Sequence, residues 1–199
     1  MKQKIILQFK IELLDSSPTI WRRIQVPENY SFWDLHIAIQ DSMGWLDYHL
    51  HQFMIKQPHK RKYTVIGIPF DENDTLAGWD IKISDYFREL GINASYEYDF
   101  GDGWEHKITL EGKFLAEKGI KYPICTKGER ACPPEDCGGP MGYDELLDIL
   151  SDKKHPSYDD MISWLENHAK DYTPYDPNFF EPNLVKFSDP KKRFKMAFE

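Results

Sequence analysis

Three acidic residues surround one tight turn in the segment SYEYDFGDGWEHKITLE, residues 95–111. Asp99, Asp102 and Glu105 carry carboxylates, which bind divalent cations or complement basic partners. Their D-x-x-D-x-x-E spacing does not match the D-x-[DN]-x-[DN]-G pattern of an EF-hand loop, so a standard calcium site is not indicated. Two interpretations stay open: a solvated turn, or a binding surface formed by these three residues and Trp104.

Three histidines near the first predicted helix form a second set of possible ligands. His49 and His51 stand two residues apart in the sequence HLH and would share one face of a strand, while His36 lies on the preceding helix. A His-x-His pair is a half-site for transition metals. Imidazoles among aromatic residues more often pack with one satisfied hydrogen bond, so core packing is the competing interpretation.

The three cysteines form a third set. Cys125, Cys132 and Cys137 stand at C-x6-C-x4-C in a segment rich in Gly and Pro. Structural zinc needs four ligands, usually with a C-x2–4-C pair, and a fourth ligand such as His155 or His106 would have to come from elsewhere. Because the chain shows no secretion signal and an odd number of cysteines, we expect reduced thiols, with zinc as the alternative.

Composition narrows the classes of function. The formal net charge of −8 repels phosphate backbones, so nucleic-acid binding is not expected unless one face is locally basic. The runs KQPHKRK (56–62) and KKRFK (191–195) keep that alternative open. The chain contains no run of about 18 apolar residues, and charges interrupt its start, so a cytoplasmic protein without a membrane span is predicted.

Hydrophobic periodicity predicts the elements that position these residues. Ser31 opens a helix in capping-box spacing with Asp34, its apolar residues share one face, and Gly44 ends it. The segment 117–142, rich in Gly and Pro, is expected to be irregular. Strands are predicted at Ile5–Leu13, Ile20–Val26, His51–Lys56 and Lys62–Ile66, and helices at Ser31–Met43, Lys82–Leu90, Tyr143–Leu150 and Ser157–His168, with at most one short helix in the C-terminal tail.

The segment 95–111 is predicted to be a hairpin with the three-residue loop Gly101-Asp102-Gly103. Gly103 supplies the positive φ angle that the end of such a loop requires. The alternation of side chains selects this register over a two-residue turn. The predicted cross-strand pairs are Phe100–Trp104, Tyr98–His106 and Tyr96–Ile108 on one face, and Glu97–Lys107 and Asp99–Glu105 on the other.

Strands first and helices last indicate an α+β fold with an antiparallel or mixed sheet. The expected organisation is a single domain, residues 1–199, with a β-β-α-β start and C-terminal helices. The start is similar to a β-grasp arrangement, an analogy that carries no function.

Four segments carry a resemblance to a known family. They are WRRIQVPENYSFWDLHIAIQDSMGW, YEYDFGDGWEHKITLE, RACPPEDCGGPMGYDELL and YDPNFF. With these motifs in order over nearly the whole chain, the sequence resembles the plasmid pRiA4b ORF-three-like family. The resemblance implies one compact α+β domain and supplies no catalytic residues. Some members carry resolvase-like labels, but no serine nucleophile with an arginine cluster is found in this sequence.

These observations favour a binding or interaction module with a protein partner, no membrane contact and no required cofactor. The sequence contains no G-x-S-x-G elbow, P-loop or dinucleotide fingerprint, so no catalytic set is assembled. The alternative is a metal-dependent hydrolase or nuclease-like enzyme that uses zinc or another divalent cation. It would bind that cation through the three histidines or through the acidic trio. A second alternative is nucleic-acid binding through KQPHKRK.

Overall fold

The computed structural model describes residues 4–56, 62–69 and 74–199. Within these ranges the chain forms one eight-stranded sheet, four α-helices and two short 3-10 helices. The strands are β1 Ile5–Leu13, β2 Ile20–Pro27, β3 His51–Lys56, β4 Tyr63–Gly67, β5 Leu76–Ala77, β6 Asn93–Tyr98, β7 Trp104–Leu115 and β8 Ile124–Glu129. The helices are α1 Phe32–Met43, α2 Gly139–Ser151, α3 Tyr158–Asn167 and α4 Pro190–Phe198, with 3-10 helices at Ile83–Asp85 and Pro182–Leu184.

The strands are arranged in the order β5-β4-β3-β6-β7-β1-β2-β8. Every neighbouring pair is antiparallel except β4 and β5, which are parallel, so the sheet is mixed and the α+β class is confirmed. The β-β-α-β order is present at the start, but β6 and β7 separate β3 from β1. The β-grasp comparison and the single-domain organisation stay predictions.

Helix α1 begins and ends where the sequence predicted. The Ser31 side chain accepts a hydrogen bond from the Asp34 amide (3.1 Å), and the Asp34 carboxylate accepts one from the Ser31 amide (2.9 Å). Gly44 ends the helix at φ +94°. The predicted face is fully buried, and the ring of Phe32 packs edge-on against Phe53 of β3 at 5.1 Å. The helix therefore covers the sheet as expected.

Two predictions of local structure were wrong. Residues 117–142 are not all irregular, because β8 pairs with the outer edge of β2, whose backbone groups would otherwise lack partners. Helix α2 also begins within this segment, at Gly139. The helix predicted at Lys82–Leu90 is only the 3-10 helix Ile83–Asp85.

The predicted register of the β6–β7 hairpin was also wrong. Tyr98 pairs with Trp104 and Tyr96 with His106, so the loop spans residues 99–103 rather than 101–103. The loop is longer because Asp99 leaves the strand at φ +57°. The predicted positive φ of Gly103 is confirmed, at +70°. A shift of two residues keeps each strand residue on its face, so the aromatic face still points into the core.

The charge pairs change with the register. Glu105 lies opposite Glu97, not opposite Asp99, and Lys107 lies opposite Ser95. Gln52 of the neighbouring strand β3 donates a hydrogen bond to the Glu97 carboxylate at 2.6 Å. The predicted Asp99–Glu105 repulsion is therefore replaced by a Glu97–Glu105 pair that β3 partly compensates. None of the described helices is long and apolar enough to cross a lipid bilayer.

Candidate functional site

One imidazole and two carboxylates meet at the loop end of the β6–β7 hairpin. His49 lies between α1 and β3, Asp99 begins the hairpin loop, and Asp136 lies in the loop before α2. One ligand atom from each lies within 4.8 Å of the others. His49 Nε2 is 2.9 Å from Asp136 Oδ1 and 3.6 Å from Asp99 Oδ2. The structure thus joins one predicted histidine to one predicted aspartate, and adds a residue that the sequence did not single out.

The conformation of the hairpin loop orients Asp99. Its Oδ1 accepts hydrogen bonds from the amides of Gly101 (3.0 Å) and Asp102 (3.4 Å). The other carboxylate oxygen, Oδ2, faces His49. The Asp99 amide donates to the carbonyl of Leu50 at 2.9 Å, which ties the loop to the residue after His49. Asp99 is only 7 % exposed. This carboxylate is therefore a fixed part of the loop rather than a solvated tip.

Asp102 connects the hairpin loop to the start of α2. Its Oδ2 accepts a hydrogen bond from the Gly138 amide at 3.2 Å. Its backbone carbonyl lies so close to Gly139 that a Cβ atom at this position would be 2.4 Å from the oxygen. These contacts bring Asp136, two residues before Gly138, next to Asp99. Glu105 is exposed on β7 and is not part of the three-residue group.

A buried carboxyl group lies beside this group. Glu135 is 1 % exposed, and its Oε1 accepts hydrogen bonds from the Leu46 amide (2.6 Å) and the Tyr98 hydroxyl (3.0 Å). Burial raises the pKa of Glu135, and the neighbouring Asp136 raises it further, while His49 acts in the opposite direction. Burial and the Glu135 charge also raise the pKa of the Tyr98 phenol. Glu135 thereby ties the loop before α2 to the core.

Large apolar side chains that adjoin this group in sequence, or lie on the helix that follows it, are exposed. Tyr48 is 63 % exposed, Leu50 40 %, Phe100 37 % and Met141 85 %. Tyr48 and Leu50 flank His49, Phe100 follows Asp99, and Met141 lies in the first turn of α2. We name this surface the turn face. It consists of Tyr48, His49, Leu50, Asp99, Phe100, Asp102, Asp136 and Met141.

The other two histidines of the predicted set lie in the core. His36 and His51 stack with ring centroids 3.4 Å apart and planes within 7°. His36 is hydrogen-bonded to the Tyr96 hydroxyl and the Asp47 carboxylate, each at 2.8 Å. Burial lowers the pKa of His51 well below its ordinary value, with the charge of His36 adding to the effect. The prediction that His49 shares a strand face with His51 was wrong, because β3 begins only at His51.

Trp104 does not belong to an exposed surface either. It is 2 % exposed, and its ring lies 5.9 Å from that of Trp45. Its cross-strand partner Tyr98 is buried on the same face of the sheet. The predicted binding surface of three acids and Trp104 is therefore corrected: Trp104 is core, and Phe100 is the exposed aromatic residue of the loop.

The three cysteines are free thiols. Burial raises the pKa of Cys132 to about 12, and burial together with Asp102 raises that of Cys137. Among the residues with described coordinates, no cysteine belongs to a group of three potential metal ligands. The proposed fourth ligands lie elsewhere: His106 is buried in the sheet, and His155 accepts a hydrogen bond from the Ser157 amide.

The structure describes only part of the two basic runs. Residues 57–61 of KQPHKRK lie outside the described residues, so the nucleic-acid alternative that depends on them stays a prediction. In KKRFK, Arg193 forms an ion pair with Asp47 at 2.8 Å, and Lys195 lies 3.9 Å from Glu199. Part of that run is therefore engaged within the chain.

Asp136 is the site residue that sequence reasoning missed. It stands in PPEDCGGPMGY, within the segment that the sequence predicted to be irregular. The only local signal was the adjacent pair of acids, Glu135 and Asp136, which by itself does not distinguish a site from a solvated loop. Glu135 is buried and Asp136 is half-exposed, and this difference in exposure follows from their contacts with distant residues.

Comparisons with known proteins agree with the fold. The family model described as "Plasmid pRiA4b ORF-3-like protein" matches residues 5–184. "Uncharacterized protein y4hQ" of Sinorhizobium fredii is 31% identical over 181 residues, 89% of this chain and 89% of that protein. The crystal structure of "Protein of Unknown Function MM3350" from Methanosarcina mazei Go1 is 42% identical. It covers 94% of this chain and 100% of its own, with a TM-score of 0.84.

Proposed function

The chain belongs to the plasmid pRiA4b ORF-3-like protein family, and from that premise we propose that it is a cytoplasmic protein-binding module that uses the turn face. Its partner is a protein segment that combines basic and apolar side chains. The observation that carries the proposal is the exposure of Tyr48, Leu50, Phe100 and Met141 around an acidic centre.

The apolar part of the turn face supports binding to a protein. Single exposed apolar residues are common on protein surfaces, but neighbouring ones rimmed by polar groups are typical of interaction sites. Aromatic and methionine side chains are enriched where interfaces are buried, because they offer large contact areas. Tyr48 and Met141 expose the most area of the four, so they are the side chains expected to contribute most to affinity.

The charge of the turn face supports a basic partner. Asp99 and Asp136 lie beside the imidazole of His49, Asp102 adds a third carboxylate in the same hairpin loop, and the whole chain has a formal net charge of −8. A negative surface attracts lysine and arginine side chains and increases the association rate at low ionic strength. We therefore expect the affinity to fall as salt is added.

The protonation of nearby groups favours binding over covalent catalysis. Burial is the main cause of the raised pKa values of the Tyr98 phenol and of the Cys132 and Cys137 thiols. Nucleophilic catalysis needs the deprotonated form, which these environments disfavour at neutral pH. The free thiols agree with a reducing cytoplasmic setting.

The test is selection of peptides from a random display library on the immobilised protein, followed by affinity measurements. We expect selected peptides to combine Lys or Arg with aromatic or aliphatic residues. The double variant Tyr48→Ser, Met141→Ser should weaken their binding by roughly tenfold or more, a loss of about 1.4 kcal/mol. The matched control is Leu184→Ser, Met196→Ser, which changes two exposed apolar residues elsewhere and should bind normally.

Two results would contradict the proposal. One is the absence of any peptide that binds wild type better than the Tyr48, Met141 double variant. The other is equal loss of binding in the control, which would place the contact surface elsewhere. Circular dichroism melts of both double variants show whether they fold like wild type.

A further inference from the structure

We propose that His49, Asp99 and Asp136 bind one divalent transition-metal ion, with zinc as the best fit to the ligand set. The site lies in the middle of the turn face, but it goes beyond protein binding and is tested without any partner. Its three side chains come from parts of the chain that are far apart in sequence and meet only in the fold.

The distances between the ligand atoms fit a shared cation. Zinc lies about 2.0–2.2 Å from nitrogen and oxygen ligands, which places neighbouring ligand atoms of a tetrahedral site about 3.3–3.6 Å apart. His49 Nε2 is 2.9 Å from Asp136 Oδ1 and 3.6 Å from Asp99 Oδ2, which bracket that range. The third separation lies within 4.8 Å. Asp136 has the more exposed side chain of the two carboxylates, so it is the ligand that adjusts when an ion binds.

Unsatisfied polar atoms point into the site. His49 Nε2 is shielded from solvent and forms no hydrogen bond within the described part of the chain. The 2.9 Å contact with Asp136 is short enough for a hydrogen bond, but it lacks the required alignment. The Asp99 side chain is nine-tenths buried, and its Oδ2 has His49 as its nearest ionic partner at 3.6 Å, beyond hydrogen-bond range. A single proton can bridge only two of these three ligand atoms, whereas a metal ion can bind all three. A metal ion therefore satisfies the group better.

The surrounding charges favour a bound cation. Glu135 adds a buried carboxyl group, and Asp102 adds a carboxylate at the other side of the loop. In the ranges 4–56, 62–69 and 74–199, the ion pairs of Asp99 and Asp136 are with His49 and include no lysine or arginine. Asp99 is the buried member of the pair, with its side chain only 10% exposed, and a buried carboxylate is costly without a compensating positive charge. A divalent ion supplies that charge.

The ligand types indicate which ion binds. An imidazole nitrogen with two carboxylate oxygens suits zinc and its neighbours in the transition series, whereas magnesium and calcium prefer oxygen ligands alone. Three protein ligands leave at least one position for water or for a group from a partner. The amides of Gly101 and Asp102 hold Asp99 Oδ1, the kind of outer contact that fixes a metal ligand in place.

The test is calorimetric titration of chelator-treated protein with zinc chloride at neutral pH, together with thermal melts. We expect one ion per chain and a rise in melting temperature that grows with free zinc. His49→Gln and Asp136→Asn should each lower the affinity by roughly tenfold or more and reduce the rise in melting temperature. Asp144→Asn, an exposed change on α2 with the same effect on net charge, should bind zinc like wild type.

Cobalt substitution separates this site from the thiols. Cobalt bound by His49, Asp99 and Asp136 should show visible ligand-field bands without a thiolate-to-metal charge-transfer band. A charge-transfer band, or zinc binding that survives in both site variants, would overturn the assignment. Binding of magnesium as tight as that of zinc would overturn the transition-metal identity. Peptide affinity measured in excess chelator reports on the protein-binding proposal alone, so the two proposals can fail separately.

Discussion

His106 illustrates how the fold controls a single titratable group. It lies on the buried face of β7, and its Nδ1 is 3.1 Å from the Trp104 carbonyl and 3.3 Å from the Tyr96 carbonyl. Because carbonyl oxygens only accept hydrogen bonds, Nδ1 carries the proton of the neutral ring. Burial lowers the pKa of His106 from 6.5 to about 4, with the charge of Arg22 adding to the effect. The ring is therefore neutral in the folded protein at pH 6.

This state predicts a pH dependence of stability. Since the folded pKa lies below that of the unfolded chain, the unfolded state binds the extra proton between pH 6.5 and about 4. Stability should fall as the pH drops through this window, by up to about 3 kcal/mol from this group. His106→Asn keeps an amide donor for the two carbonyls but cannot titrate. Urea melts from pH 7.5 to 4.5 should therefore show a shallower decline for this variant.

The control for this experiment is His155→Asn, which removes a half-exposed imidazole outside the sheet. It should decline with pH as wild type does. If His106→Asn also keeps the wild-type slope, then His106 is not the group whose protonation destabilises the fold.

At the scale of elements, the hairpin loop and the start of α2 depend on each other. Gly138 and Gly139 both adopt positive φ angles, +90° and +70°, but they meet different surroundings. A Cβ atom at Gly138 would lie 3.5 Å from its nearest neighbour, an ordinary contact, whereas one at Gly139 would lie 2.4 Å from the Asp102 carbonyl oxygen. A substitution at either glycine strains the backbone, but only one at Gly139 also creates a steric conflict between the two elements.

We expect Gly138→Ala to lower the free energy of unfolding by about 1–2 kcal/mol, because alanine disfavours the left-handed conformation. Gly139→Ala should cost clearly more, because the loop 99–103 must also move away from α2. Free energies of unfolding from urea melts give the comparison. Equal losses for the two variants would mean that the hairpin loop does not press against Gly139. The same movement should weaken zinc binding in Gly139→Ala, since it separates Asp99 from Asp136.

At the scale of the whole molecule, the C-terminal helix α4 closes over residues from two distant parts of the chain. Phe194 packs edge-on against Trp33 at 5.7 Å and against Trp79 at 5.3 Å. Arg193 forms an ion pair with Asp47, which is itself hydrogen-bonded to His36. The helix lies beyond residues 5–184, the range that the family model matches. It explains why α1 is buried on its outer side as well as against the sheet.

We expect Phe194→Ala to destabilise the fold by about 1–3 kcal/mol, because the ring is half-buried between two tryptophans. Met196→Ala on the same helix is the matched control, since its side chain is 83 % exposed and should contribute less than about 0.5 kcal/mol. Urea melts followed by tryptophan fluorescence measure both. A loss in Phe194→Ala no larger than in the control would show that α4 does not stabilise the fold through this contact.

The sequence alone determined the features that depend on neighbouring residues. The capping box of Ser31 and Asp34 and the Gly44 helix end follow from contacts within a few positions. The bounds of β1 and β3 were predicted from the pattern of their apolar residues. The alternation of aromatic and charged side chains along the two strands of the hairpin likewise predicted that its aromatic face lies in the core. The family resemblance followed from long motifs in a fixed order and was confirmed.

The tertiary structure decided what depends on distant contacts. Strand β8 exists because β2, about 100 residues earlier in the chain, offers it an unpaired edge. The hairpin register was set by Asp99, whose amide bonds to Leu50 and whose side chain turns back on its own loop. His49 and Asp136 meet because Asp102 holds the start of α2. Periodicity reports which side of an element faces the core, but not which distant residue it faces there.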